Sequence, residues 1–199
     1  MSYGDFDLKK VRDTFQLQII EDVDLFSTWP DVEISPFLTQ ILKQNVPLAL
    51  AMGTEKARSE LIIVNILLEL KNKLNVSFFS GLDFNVDKTK GLNGFCDFII
   101  SQSSEQLFLN APVIAMVEAK NENIIGGLGQ CAAEMVAARI FNERENNPIQ
   151  AVYGVVTTGH AWKFLKLQGE QLFIDVEDYY IKHPPKIMGI LVEIVRQKR

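Results

Sequence analysis

The chain has 199 residues, 47% of them apolar and 23% charged, with a formal net charge of −5. That composition suits a single globular domain with a sizeable core. The acidic balance argues against a strong nonspecific nucleic-acid binder, which usually shows a basic face. The two cysteines, Cys96 and Cys131, are too few for a disulfide framework and read as small core residues of a reducing, cytoplasmic compartment. No stretch reads as a membrane span, since the longest apolar candidate, Leu61 to Leu68, is soon followed by Glu69 and Lys71. Met1 to Asp5 lacks a basic region followed by an apolar one, so no secretory signal is expected. Charge is uneven along the chain. Lys56, Arg58, Lys71, Lys73, Lys88 and Lys90 gather in the first half, and Lys186, Arg196, Lys198 and Arg199 face only Glu193 near the end.

Residues 1–50 carry the weakest pattern and read as an N-terminal elaboration. Leu8 to Phe15 suits a short helix, Phe15 to Ile20 a strand, and Trp29-Pro30-Asp31 a turn. Pro36 to Gln44 suits a helix, with Ser35 as N-cap and Pro36 at the first helical position. Thr54 caps a longer helix from about Glu55 to Lys73, because Ala57, Leu61, Val64, Leu67 and Leu68 recur at helical spacing. Asn75 to Phe84 reads as a strand, Asp87 to Asn93 as a charged turn, Gly94 to Ser101 as the next strand, and Leu107 to Lys120 as containing a third. Gly126-Gly127-Leu128-Gly129 is expected to break the chain before an alanine-rich helix from Gln130 to Asn142. Ala151 to Thr157 is a continuous apolar strand, Trp162 to Leu167 and Gln171 to Val176 pair as a hairpin across Gly169, and Ile187 to Arg196 is an amphipathic helix. The short turns joining the first three strands predict an antiparallel meander. The strand after the second helix can return parallel by a crossover. The expected fold class is α/β, a mixed central sheet flanked by helices.

The most informative segment is Val113-Ile114-Ala115-Met116-Val117-Glu118-Ala119-Lys120, a buried-strand pattern that ends in two charges. Side chains alternate across a strand, so Glu118 and Lys120 point to one face. Charges at the end of a buried strand are costly there unless partnered. The preceding strand carries one acid in its middle, Asp97. Two acids and a lysine on neighbouring strands make an oxygen-rich pocket suited to a hard divalent cation. Other chemistries find no support. His160 and His183 lack metal-ligand spacing, the glycine run lacks the lysine and hydroxyl of a P-loop, and no nucleophile elbow occurs.

The order αβββαβ, with Asp97 followed by Glu118-Ala119-Lys120, resembles the PD-(D/E)XK nuclease superfamily, the restriction-endonuclease-like fold, over roughly residues 55–167. Glu60 matches the acid common on the first core helix, Gln130 the glutamine common on the second, and Thr157 to Trp162 is similar to the strand–turn–strand segment that follows. Two departures are visible. Phe95-Cys96 stands where a proline would precede Asp97, and Glu134 replaces the tyrosine often found four residues after the glutamine. The resemblance implies a Mg²⁺-dependent nuclease, with Mn²⁺ as substitute, acting on nucleic acid, expected to be DNA; no membrane association is expected from the apolar pattern, and the modest chain length suggests a homodimer. Asp97 and Glu118 would hold the metal, with the Ala119 carbonyl as a further ligand. Glu60 would bind a second metal or a water, Lys120 would orient the attacking water, and Gln130 would orient Lys120 or contact a phosphate. Structural alternatives exist for each: a solvent-facing Asp97, a surface ion pair of Glu118 with Lys120, a first-turn helix acid at Glu60 and an ordinary helical Gln130. The competing function is a nuclease-like fold used for binding or assembly without turnover. Residues 168–199 then supply only a hairpin strand and a helix.

Overall fold

Asp7 opens the first helix by accepting from Lys10 N at 2.7 Å; α1 (Leu8–Phe15) then stops at Gln16, which is left-handed, and the chain turns into β1 (Gln18–Val23). The computed structural model describes residues 1–197, so Lys198 and Arg199 of the basic C-terminal group lie outside the described residues. α2 (Pro36–Met52) starts as its sequence predicts, with Ser35 Oγ accepting from Leu38 N at 3.1 Å. It runs well past Gln44, through Pro47, and ends at Gly53 with φ 64°. Burial of Leu38, Leu42 and Ala49 on its inner face outweighs the backbone bond that Pro47 removes.

Thr54 caps the next helix, its Oγ1 accepting from Ala57 N at 3.2 Å. The helix is continuous in three pieces: α3 (Glu55–Arg58), a π turn (Ser59–Ile63) and α4 (Val64–Lys73). The wide turn rotates the first residues relative to the apolar stripe of α4, a distortion common at functional sites. Three strands follow, β2 (Ser77–Asp83), β3 (Phe95–Ser101) and β4 (Val113–Ala119), paired as an antiparallel meander. The chain crosses over through α5 (Ile124–Arg144) to β5 (Val152–Thr157), which lies parallel to β4. It continues antiparallel through β6 (Ala161–Gln168) and β7 (Gln171–Asp175), then the short β8 (Tyr179–Tyr180), and ends in α6 (Pro184–Arg196).

Among the described residues the eight strands form one mixed sheet in the order β1-β7-β6-β5-β4-β3-β2, with β8 attached to β6. The architecture is therefore α/β with helices on both faces. One core lies between the sheet and α2, α4 and α6, with Leu38, Ile66, Leu67 and Ile190 against Val117 and Phe164. The other lies under α1 and α5, with Val11, Cys131 and Met135 against Met116, Val156 and Leu165. β1 joins the far edge in parallel with β7, a pairing that no local pattern announces.

The glycine run does not break the chain. α5 begins at Asn123, whose Oδ1 accepts from Gly126 N at 2.9 Å, and passes through all three glycines. They serve close packing. A Cβ on Gly127 would meet Val156 Cγ1 at 2.7 Å and Lys120 Cε at 3.0 Å, and one on Gly129 would overlap the Asp7 backbone. At its other end, buried Asn142 donates to Val113 O at 2.8 Å and accepts from Val113 N at 2.7 Å, pinning the helix to the start of β4. Contrary to the sequence expectation, α5 is long and apolar enough to cross a membrane by length and composition; here most of it is buried on β4 and β5.

Candidate active site

β4 is buried at every position, which places Glu118 beneath the surface with only 2% exposure. The strand is held where it ends. Lys120 N donates to Thr157 O of β5 at 2.8 Å. On the other side, the register with β3 stops at Phe98 opposite Val117, and one step further Ala119 N donates to the Asp97 carboxylate at 2.8 Å. Asp97 thus replaces a backbone acceptor exactly where the meander opens, bringing its charge beside Glu118.

Lys120 returns across the end of α5, its aliphatic stem lying over Gly127. Its Nζ donates to Glu118 Oε1 at 2.5 Å and to Gln130 Oε1 at 3.2 Å. Gln130 Nε2 in turn donates to Glu134 Oε1 at 3.2 Å, one helical turn further along α5. The result is a chain of four polar side chains, running inward from Lys120 to a fully buried acid. Glu118 Oε2 and Glu134 Oε2 are buried and take no bond from Lys120 or Gln130; the two carboxyl groups instead hydrogen-bond to each other, with the proton on Glu134.

Three carboxyl groups meet one ammonium here, and the electrostatics follow. Burial, reinforced by the Asp97 charge, pushes the Glu118 carboxyl up to about 7. Glu134 is held well above the usual carboxylate range by burial and by the Glu118 charge. Burial works against the Lys120 ammonium, but the Glu118, Glu55 and Asp97 charges outweigh it and hold Lys120 above its ordinary value. A cluster in this state binds a proton or a cation readily, which is the behaviour expected of a functional site.

Glu60 is placed differently. Its side chain is exposed, pairs with Lys56 at 3.8 Å, and lines an open cleft of about 300 Å³ together with Asp97, Glu55 and Ser59. It shares that cleft with Asp97 but does not join the Glu118–Lys120–Gln130 chain. Glu55, one turn earlier, is the helix acid whose charge reaches Lys120. Neither Glu55 nor Arg58 stands out in the sequence, because a polar run at a helix start gives no sign that Arg58 is buried or that the exposed Glu55 acts on Lys120. Glu134 was visible as a departure from the motif, and its burial was not. His160 and Trp162 sit at the β5–β6 turn; Trp162 is a core residue whose Nε1 donates to Gly159 O at 3.1 Å.

Among the described residues, no three His, Cys, Asp or Glu side chains are grouped as a ready metal centre. Mg²⁺ does not demand one, since it is commonly bound through one or two carboxylates, with waters and substrate phosphates completing its octahedron. Asp97 and Glu118, two carboxyl groups at the end of one buried strand, fit that donor pattern; Glu60 lies outside it. No family model matches this chain, and neither a curated protein nor a solved structure does.

Proposed function

We propose that this protein is a Mg²⁺-dependent phosphodiester hydrolase acting on DNA, built on a restriction-endonuclease-like core. The reading rests on one observation: Lys120 is wired to Glu118 and Gln130 at the end of a buried strand, with Asp97 against the same backbone. Surface ion pairs do not take this form, because burying charges is costly. The antiparallel β2–β3–β4 meander with its parallel return to β5 supports the same reading.

Bound Mg²⁺ would neutralise charge on the phosphate and lower the pKa of water. Asp97 and Glu118 would hold it. Lys120 would orient the attacking water and offset negative charge on the phosphate oxygens. Gln130 would fix the Lys120 ammonium, accepting from Nζ while Glu134 holds its amide group. Lys120→Ala should lower cleavage of plasmid or single-stranded DNA in Mg²⁺ or Mn²⁺ by at least about a hundredfold, the scale of one lost proton-handling group. An unchanged circular-dichroism melt would show the fold intact. Equal cleavage by the variant would refute the assignment.

A second reading, a nuclease-like fold that binds without turnover, is favoured by Lys120 closing tightly on Glu118. Calorimetric titration with Mn²⁺ in the presence of DNA separates the two. Binding that is lost in Asp97→Ala supports the hydrolase, and no uptake by the wild type supports the second reading.

A further inference from the structure

Arg58 presents a charge that the proposed catalysis does not use. It is only 9% exposed, yet among the described residues it has no ion-pair partner. Its guanidinium is aimed by two neutral acceptors: Nε donates to Asn121 Oδ1 at 3.2 Å, and Nη1 donates to Thr158 O at 3.0 Å. A guanidinium has five N–H donors, so three have no partner among the described residues. Arg58 also lines a cleft of about 380 Å³ with Asn121, Glu122, Thr158 and His160. Glu122, the carboxylate on that cleft, is exposed to water. His160 brings a buried Nδ1 that has no partner among the described residues.

We infer that this cleft is an anion subsite whose occupant is a phosphate group, held by the free edge of the Arg58 guanidinium with His160 beside it. A largely buried guanidinium whose unpaired donors open to the cleft is stabilised by a tetrahedral oxyanion, which accepts several charge-assisted bonds in the planar geometry arginine offers. The subsite is fastened to the catalytic strand on both sides. Asn121 directly follows Lys120, and Thr158 directly follows Thr157, whose carbonyl fixes Lys120 N. A phosphate held there belongs to a nucleotide neighbouring the one at Asp97 and Glu118. The identification of the polymer as nucleic acid rests on the proposed function; the oxyanion subsite does not.

The test is run in EDTA, so that no cleavage is needed. Inorganic phosphate is titrated calorimetrically into wild type, Arg58→Gln and Asn121→Asp, against chloride at matched ionic strength. Arg58→Gln strips the two acceptors of their donor and is a risk to folding. Asn121→Asp keeps Arg58 and gives it an internal carboxylate, so its thermal midpoint should rise while phosphate binding falls. Affinity should drop at least about tenfold in both variants, the scale of one lost charge-assisted contact. Repeating the titration with 5′-phosphorylated and unphosphorylated oligonucleotides identifies the source. Tighter binding of the phosphorylated strand by wild type indicates a terminal monoester, and equal binding that both variants lose indicates an internal diester. Absence of phosphate binding by wild type, or undiminished binding by Asn121→Asp, overturns the inference. A wild type that binds phosphate in EDTA and never cuts DNA in Mg²⁺ or Mn²⁺ would overturn the hydrolase reading alone.

Discussion

Glu134 is the residue whose chemistry is least expected from its position. It lies on α5 where the motif resembled in the sequence carries tyrosine, and it is completely buried, its carboxyl hydrogen-bonded to Glu118. Its proton is held more tightly in the folded chain than in the unfolded one, because burial and the Glu118 charge raise its pKa. Glu118 behaves the same way, rising to about 7. Both raised values stabilise the fold fully below the ordinary glutamate pKa, and that stability is lost as pH rises toward the folded values. Without metal, unfolding free energy should therefore fall between about pH 4.3 and 7 and beyond. Glu134→Gln keeps the acceptor for Gln130 and removes the ionisation. It should flatten this slope and be more stable than wild type at pH 8 by about 1–3 kcal/mol, with little difference at pH 4. Urea unfolding across that range measures it, and parallel pH slopes for the two proteins would contradict the buried-acid account.

At the scale of elements, α5 explains why the glycine run misleads. Glycine usually weakens a helix by about 1 kcal/mol relative to alanine, so a cluster of glycines reads as a breaker. Here Gly127 lets the Lys120 stem lie against the helix, and Gly129 lets the turn before α1 cross it at backbone contact. Close approach is a tertiary requirement, invisible to a propensity argument. Gly129→Ala should destabilise the protein by roughly 1–3 kcal/mol despite its better helix propensity, because its methyl group would overlap the Asp7 backbone. A thermal melt at or above the wild-type midpoint would show that α1 can move aside. The π turn at Ser59–Ile63 belongs to the same scale: it leaves Glu60 exposed, while Arg58, the residue just before it, is buried.

For the whole molecule, the illegible first residues prove to be structural. Tyr3, Phe6, Val11 and Leu17 are all at most 5% exposed and belong to the core under α5. Tyr3 Oη donates to Phe84 O at 2.7 Å, and β1 closes the sheet edge by pairing with β7. Deleting residues 1–17 removes four buried apolar side chains, each worth about 1.5–3 kcal/mol, from the face that carries Glu134 and Gln130. The shortened chain should unfold at a clearly lower temperature, or without a cooperative transition, by calorimetry. A melt matching that of the full chain would show that this segment only decorates the core.

Local pattern alone was enough to place most helices and strands, the antiparallel meander, the parallel return and the meeting of Glu118 with Lys120. Those follow from hydrophobic period, capping residues and the two-residue repeat of a strand, which act between near neighbours. Only the tertiary structure decided that β1 pairs with β7, that three glycines lie inside a helix, that Glu60 stays in water, and that Glu134 and Arg58 are buried. Each of those depends on what the rest of the chain lays against the residue. Contacts distant in sequence are selected by packing and desolvation, and neither leaves a periodic mark on the sequence itself.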